Sequence, residues 1–145
     1  MSSRATKVTV LICVVGLLSM LVAAPAFAAK KKKGSFTAEN PVPHPGADGC
    51  LAGPEGISKT SEAMKAPFEG VLTVTMENFQ GDWDLFVTDA DGNPLVASTE
   101  SQLQGAAPTE EVVIPLKKRY AFAIAACNWV GGPSADVAWT FAATK

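Results

Sequence analysis

The stretch Gly81-Asp82-Trp83-Asp84-Leu85-Phe86-Val87-Thr88-Asp89-Ala90-Asp91-Gly92-Asn93-Pro94 decides the fold. From Trp83 to Thr88 the residues alternate, with Trp83, Leu85 and Val87 on one side and Asp84, Phe86 and Thr88 on the other. That is the two-residue period of a half-buried strand. Asp89 to Pro94 then gathers short polar side chains that bond their own backbone, a glycine that accepts positive φ, and a proline that blocks ladder pairing. The chain is expected to turn here, and Leu95-Val96-Ala97 to return as the partner strand.

Working outward, the same period recurs. Phe68, Leu72, Val74 and Met76 share one parity, predicting a strand over 69–77, and Lys59 to Ala66 reads as an earlier strand that stops at Pro67. Downstream, Ser98 to Thr109 is a polar linker, after which Val112, Ile114 and Leu116 alternate with polar neighbours up to the charged turn Lys117-Lys118-Arg119. Tyr120, Phe122, Ile124 and Ala126 alternate with small alanines. Asn128 to Ser134, with Gly131-Gly132-Pro133, reads as a turn, and Val137, Trp139 and Phe141 close the series. The expected fold is all-β: one antiparallel sandwich of seven to nine short strands.

Residues 1–28 have the form of a secretory signal peptide: Arg4 and Lys7, an apolar run from Val8 to Ala23, and Ala26-Phe27-Ala28 as a small-x-small cleavage site. Cleavage after Ala28 leaves an exported chain, extracellular or periplasmic, with no transmembrane span. Residues 29–58 form a Lys-rich leader and a Pro/Gly-rich arm, and 59–145 the sandwich. The run Lys30 to Lys33 is expected to be a solvated, disordered leader, and Phe36, Val42 and Leu51 to give the arm small apolar anchors. Export leaves two cysteines, Cys50 and Cys127, which an oxidising compartment joins. Cys127 follows the alternation of its strand on the parity opposite the core, so its sulfur should point toward a covering segment, and the arm around Cys50 is that segment. Closing so long a loop is worth roughly 4 kcal/mol in the chain-entropy model.

From Gly34 onward fourteen acidic residues face six basic ones, a net charge of −8. An acidic body excludes nucleic acid as the main partner, because a phosphate backbone requires a basic surface.

Several segments together resemble the bacterial pre-peptidase C-terminal domain, related to the P-domain of proprotein convertases. These are Lys65-Ala66-Pro67-Phe68-Glu69-Gly70-Val71-Leu72-Thr73-Val74, then Gly81 to Val87 with Asp91-Gly92-Asn93-Pro94, then Pro115-Leu116 and Tyr120-Ala121-Phe122-Ala123-Ile124. The resemblance spans 60–142 and implies a jelly-roll-like β-sandwich, in that family usually appended to secreted proteases and either removed or used for substrate or surface binding. This chain departs from the pattern: no protease domain accompanies it in these 145 residues, Lys118-Arg119-Tyr120 stands where the family has Gly-Thr-Tyr, and the Cys50 arm is an addition.

Few residues offer chemistry. Asp82 and Asp84 lie two apart on one strand face, about 6.5–7 Å between Cα atoms, not far from the spacing of paired glycosidase carboxylates. On an open strand face both are expected to stay solvated and ordinarily acidic, which argues against catalysis. His44, the only histidine, stands in a Pro-rich loop without a nucleophile. Asp89, Asp91 and Asn93 offer the oxygen ligands that calcium prefers, and some members of the resembled family bind calcium, although the same string is an ordinary hairpin turn. Trp83 and Trp139 belong to core parities, whereas Trp129, with Phe86 and Phe79, is a candidate for exposed contact. The expected function is a secreted, non-catalytic module that binds an extracellular protein or glycan. The alternatives are a hydrolase accessory or protease-associated domain, or a carbohydrate-binding module.

Overall fold

The computed structural model describes residues 30–46, 49–99 and 109–144. The signal segment, most of the linker 98–109 and the arm residues 47–48 lie outside the described residues.

The period-two segments form strands, and each buries its apolar parity. In chain order the described residues give β1 (Lys31–Glu39), β2 (Lys59–Lys65), β3 (Gly70–Glu77), β4 (Gly81–Asp89), β5 (Pro94–Ser98), β6 (Glu110–Leu116), β7 (Ala121–Gly131) and β8 (Ser134–Ala143), with one short 3₁₀ turn at Cys50–Ala52. They pair, all antiparallel, into two four-stranded sheets of order β1-β8-β3-β6 and β2-β7-β4-β5. Successive strands change sheets at every step except the β4–β5 hairpin, the crossing path of a jelly-roll-like sandwich. Leu72, Val74 and Met76 of β3, Trp83, Leu85 and Val87 of β4, Phe122, Ile124 and Ala126 of β7, and Val137, Trp139 and Phe141 of β8 fill the space between the sheets. Phe68 caps one end edge-on to Phe141, with ring centroids 5.2 Å apart.

Four expectations are corrected. The leader is a strand: Lys31 to Glu39 pairs with β8 along its length, so the sandwich begins there and not at residue 59. The cause is a period-two pattern hidden behind the lysines, in which Gly34, Phe36 and Ala38 face inward while Ser35 and Thr37 face out. Gly34 is needed because it lies against the Trp139 indole, where a β-carbon would sit 2.5 Å from Cζ2. The exposed lysines charge the outer edge of β1, which discourages further strand pairing. Second, the turn expected at 128–134 shrinks to Gly132 and Pro133, because β7 continues to Gly131 through a register shift opposite Asp82 and Trp83. Third, Tyr120 is in the turn before β7 and exposed. Fourth, Val42 is 52% exposed and anchors nothing.

The arm between β1 and β2 crosses the end of the second sheet. Its backbone is tied by Val42 N–H to Ile57 O, His44 N–H to Asn128 O and Asn128 N–H to Ser58 O. Two buried asparagines complete the junction. Asn40 Nδ2 donates to Ala126 O and its Oδ1 accepts from Thr60 Oγ1, while Asn128 Nδ2 donates to the carbonyls of Asn40, Gly131 and Gly132.

Candidate functional site

Cys127 lies on the outer face of β7, paired in register with Asp84 of β4 and Lys59 of β2. Its sulfur bonds Cys50 of the arm, with Cα atoms 5.8 Å apart, and both cysteines are buried. The bridge therefore seals the arm over the middle of β7, further along the strand than the expected position at its end.

Asp84 is the consequence. One of its carboxylate oxygens lies within 4.8 Å of both sulfurs, and the residue is only 9% exposed. The disulfide sulfurs cannot solvate a charge, and being bonded to each other they do not act as thiolate ligands. Burial, then the Asp82 and Glu110 carboxylates, push the Asp84 carboxyl up to about 6. Among the described residues no hydrogen-bond donor offsets this: every influence on its titration raises it. The expectation of two ordinary, solvated carboxyls is thus overturned for Asp84, because the arm covers the strand face that alternation alone leaves open.

The register shift does the rest. Asp82 pairs with Val130 and Trp83 with Asn128, so Trp129 is the extra residue of a β-bulge. A bulge leaves one residue out of the ladder. Trp129, on the outer face by alternation from Cys127, is half-buried there and lines a shallow cavity of about 220 Å³ with Asp82, Asp84 and Thr99. Glycines make the bulged end possible: Gly81 has φ of 84°, and a β-carbon on Gly131 would lie 2.1 Å from Gln80 O. Three residues singled out in the sequence thus meet, joined by Thr99, which alternation alone does not reveal. Phe86 stays on the same face but one register step away, between Ala125 and Ala97, and does not line the cavity. Phe79 is buried against Trp83, ring centroids 6.4 Å apart, and is no surface contact.

Asp89, Asp91 and Asn93 form the β4–β5 hairpin turn. Asp89 Oδ1 accepts the backbone N–H groups of Asp91 and Asn93, and Asn93 Nδ2 faces the same carboxylate. Hydrogen bonds from the Asn93 side chain and then its backbone hold the Asp89 carboxyl below its usual range. These oxygens serve the turn, and a calcium ion would have to displace their donors.

A larger depression of about 450 Å³ lies on the outer face of the first sheet, between β1, β3 and β8. Its central carboxylate, Asp136, already accepts from Thr37 Oγ1 and Asn78 Nδ2, each at 3.0 Å. The smaller cavity is the better site because it holds the buried carboxyl under strain of burial. No helix among the described residues is long and apolar enough to cross a membrane. No protein-family model matches the chain, and no curated protein matches it either.

Proposed function

We propose that the protein is an exported, non-catalytic binding module whose ligand site is the shelf formed by Asp82, Asp84, Thr99 and Trp129. One observation carries this reading: nine-tenths-buried Asp84 opens onto a cavity that it lines together with Trp129, the unpaired residue of a bulge. A buried carboxyl without compensating donors costs free energy and is kept where it recognises something. The signal-like N-terminus and the disulfide support export, and the resemblance to pre-peptidase C-terminal domains points to a binding or surface role. Binding of the purified protein to arrays of glycans and exported proteins, repeated with Trp129→Ala and Asp84→Asn, tests the site. Partners lost in both variants, with folding intact, support it; binding unchanged in both refutes it.

The raised Asp84 beside Asp82 also favours a second reading, a hydrolase with one protonated and one ionised carboxyl. Against it, paired glycosidase carboxylates flank the scissile bond, whereas these two project side by side from one strand. The cavity is also too shallow to exclude water from a reaction. Turnover of any glycan or peptide that Asp84→Asn abolishes would establish this second reading in place of the first.

A further inference from the structure

We propose that the group received by the shelf is a guanidinium, the side chain of an arginine on a partner polypeptide. The inference rests on the shelf being the ligand site and names the chemistry of what enters it. Asp84 faces the cavity with no donor acting on its carboxyl among the described residues, and Asp82 adds a second carboxylate two residues away. Lys59, the cation in the same register row as Asp84, is engaged elsewhere, its Nζ donating to Leu51 O at 2.7 Å. The body beyond the leader carries a net −8, so the field around the shelf attracts cations.

Among cations the wall chooses. Guanidinium is planar, weakly hydrated, forks onto a carboxylate and stacks on an indole face, so Asp84 and Trp129 are recognised by different parts of one group. An ammonium is a strongly hydrated point charge and loses more on approaching a buried carboxyl. A calcium ion takes six to eight oxygens, and among the described residues the shelf offers three oxygen-bearing side chains, to which Trp129 adds none. A neutral sugar can stack on the indole but does not offset the carboxylate charge.

Among the described residues, Asp82 on its own strand and Glu110 of β6 act on Asp84, the non-titrating disulfide lies beside it, and Lys59 of β2, in the same register row, is tied to Leu51. His44 of the arm, the only histidine in the chain, serves as the control. The experiment titrates the purified protein with N-acetyl-arginine amide, its lysine counterpart and uncharged N-acetyl-citrulline amide, following the Trp129 indole N–H and the Asp84 carboxyl by NMR at pH 5, 6 and 7. Arginine should bind about tenfold tighter than lysine, citrulline should not bind, and arginine affinity should rise about tenfold from pH 5 to 7 as Asp84 ionises. Asp84→Asn should remove the rise, and His44→Gln should keep it. Citrulline or lysine binding as well as arginine overturns the guanidinium assignment. If a glycan alone moves the shelf signals, the ligand site stands and the guanidinium falls. If no arginine, lysine or glycan moves them, both fall.

Discussion

Replacing both cysteines by alanine tests how the arm, and with it the site, is held. The bridge joins residues 77 apart in sequence. Loop closure over that length removes about 15 cal/mol/K from the unfolded chain, or roughly 4.5 kcal/mol at 25 °C. For a domain of this size each kcal/mol moves Tm by about 4 °C, so the double variant should melt roughly 18 °C lower. The folded arm should persist at low temperature, because His44 N–H to Asn128 O, Asn128 N–H to Ser58 O and Lys59 Nζ to Leu51 O do not need the sulfurs. Calorimetry of the wild type, the reduced wild type and the double variant gives the shift, and amide exchange over 49–58 reports the arm. A drop under about 5 °C with the arm still protected would refute the unfolded-state argument. A normal drop with the arm exchanging freely would mean the bridge holds the native arm as well. The same variant should let the Asp84 carboxyl move back toward its ordinary value, since the sulfurs no longer cover it.

Asp84→Asn should stabilise the protein above neutral pH. With its folded value raised to about 6, Asp84 favours the folded state below the unfolded value near 3.8, and loses that contribution as pH rises through 6. The variant should therefore match wild type near pH 3.5 and exceed it by on the order of 2 kcal/mol at pH 7.5, measured by urea unfolding. An equal gain at both pH values would show that charge is not the cause. Gly34→Val should cost about 1–3 kcal/mol, because a β-carbon at 2.5 Å from the Trp139 ring forces β1 away from β8, with a red shift of tryptophan emission as the reporter. Asn128→Asp should cost about 3 kcal/mol or more in urea unfolding, since it turns a carboxylate toward the carbonyls of Asn40, Gly131 and Gly132.

Most strands were legible because alternation records which face is buried, and burial is what the two sheets provide. β3, β4 and β8 carry three large apolar residues each at period two, and all of these face the core. β1 was hidden because its inward residues are Gly34, Phe36 and Ala38, two of them small, and three lysines make up its start. Small residues are required there: the edge strand lies over the Trp139 ring and has no room for a side chain at Gly34. The polar pair Asn40 and Asn128 was equally invisible. Each lies at a junction where a carbonyl or amide of a distant segment must be satisfied, 86 to 88 residues away. Hydrogen bonds of that separation leave no local period.

The site was half legible for a related reason. Asp82, Asp84 and Trp129 stand out as residue types, but their meeting depends on the pairing of β4 with β7, strands distant in sequence, which no local period records. Alternation from Cys127 already puts Trp129 on the outer face, and an unbroken register would set it opposite Asp82; the register shift sets Val130 there and leaves Trp129 as the unpaired residue. Trp129 lines the cavity with the aspartates from within the bulge, while the disulfide at the Asp84–Cys127 register pair brings the arm down over Asp84. Each feature by itself is structural: a bulge bends a strand end, and a bridge fastens a loop. Together they produce a carboxyl that is desolvated on one side and open on the other. That asymmetry raises Asp84 toward neutrality and makes it the shelf's most responsive group, because an arriving cation replaces the water that burial has removed.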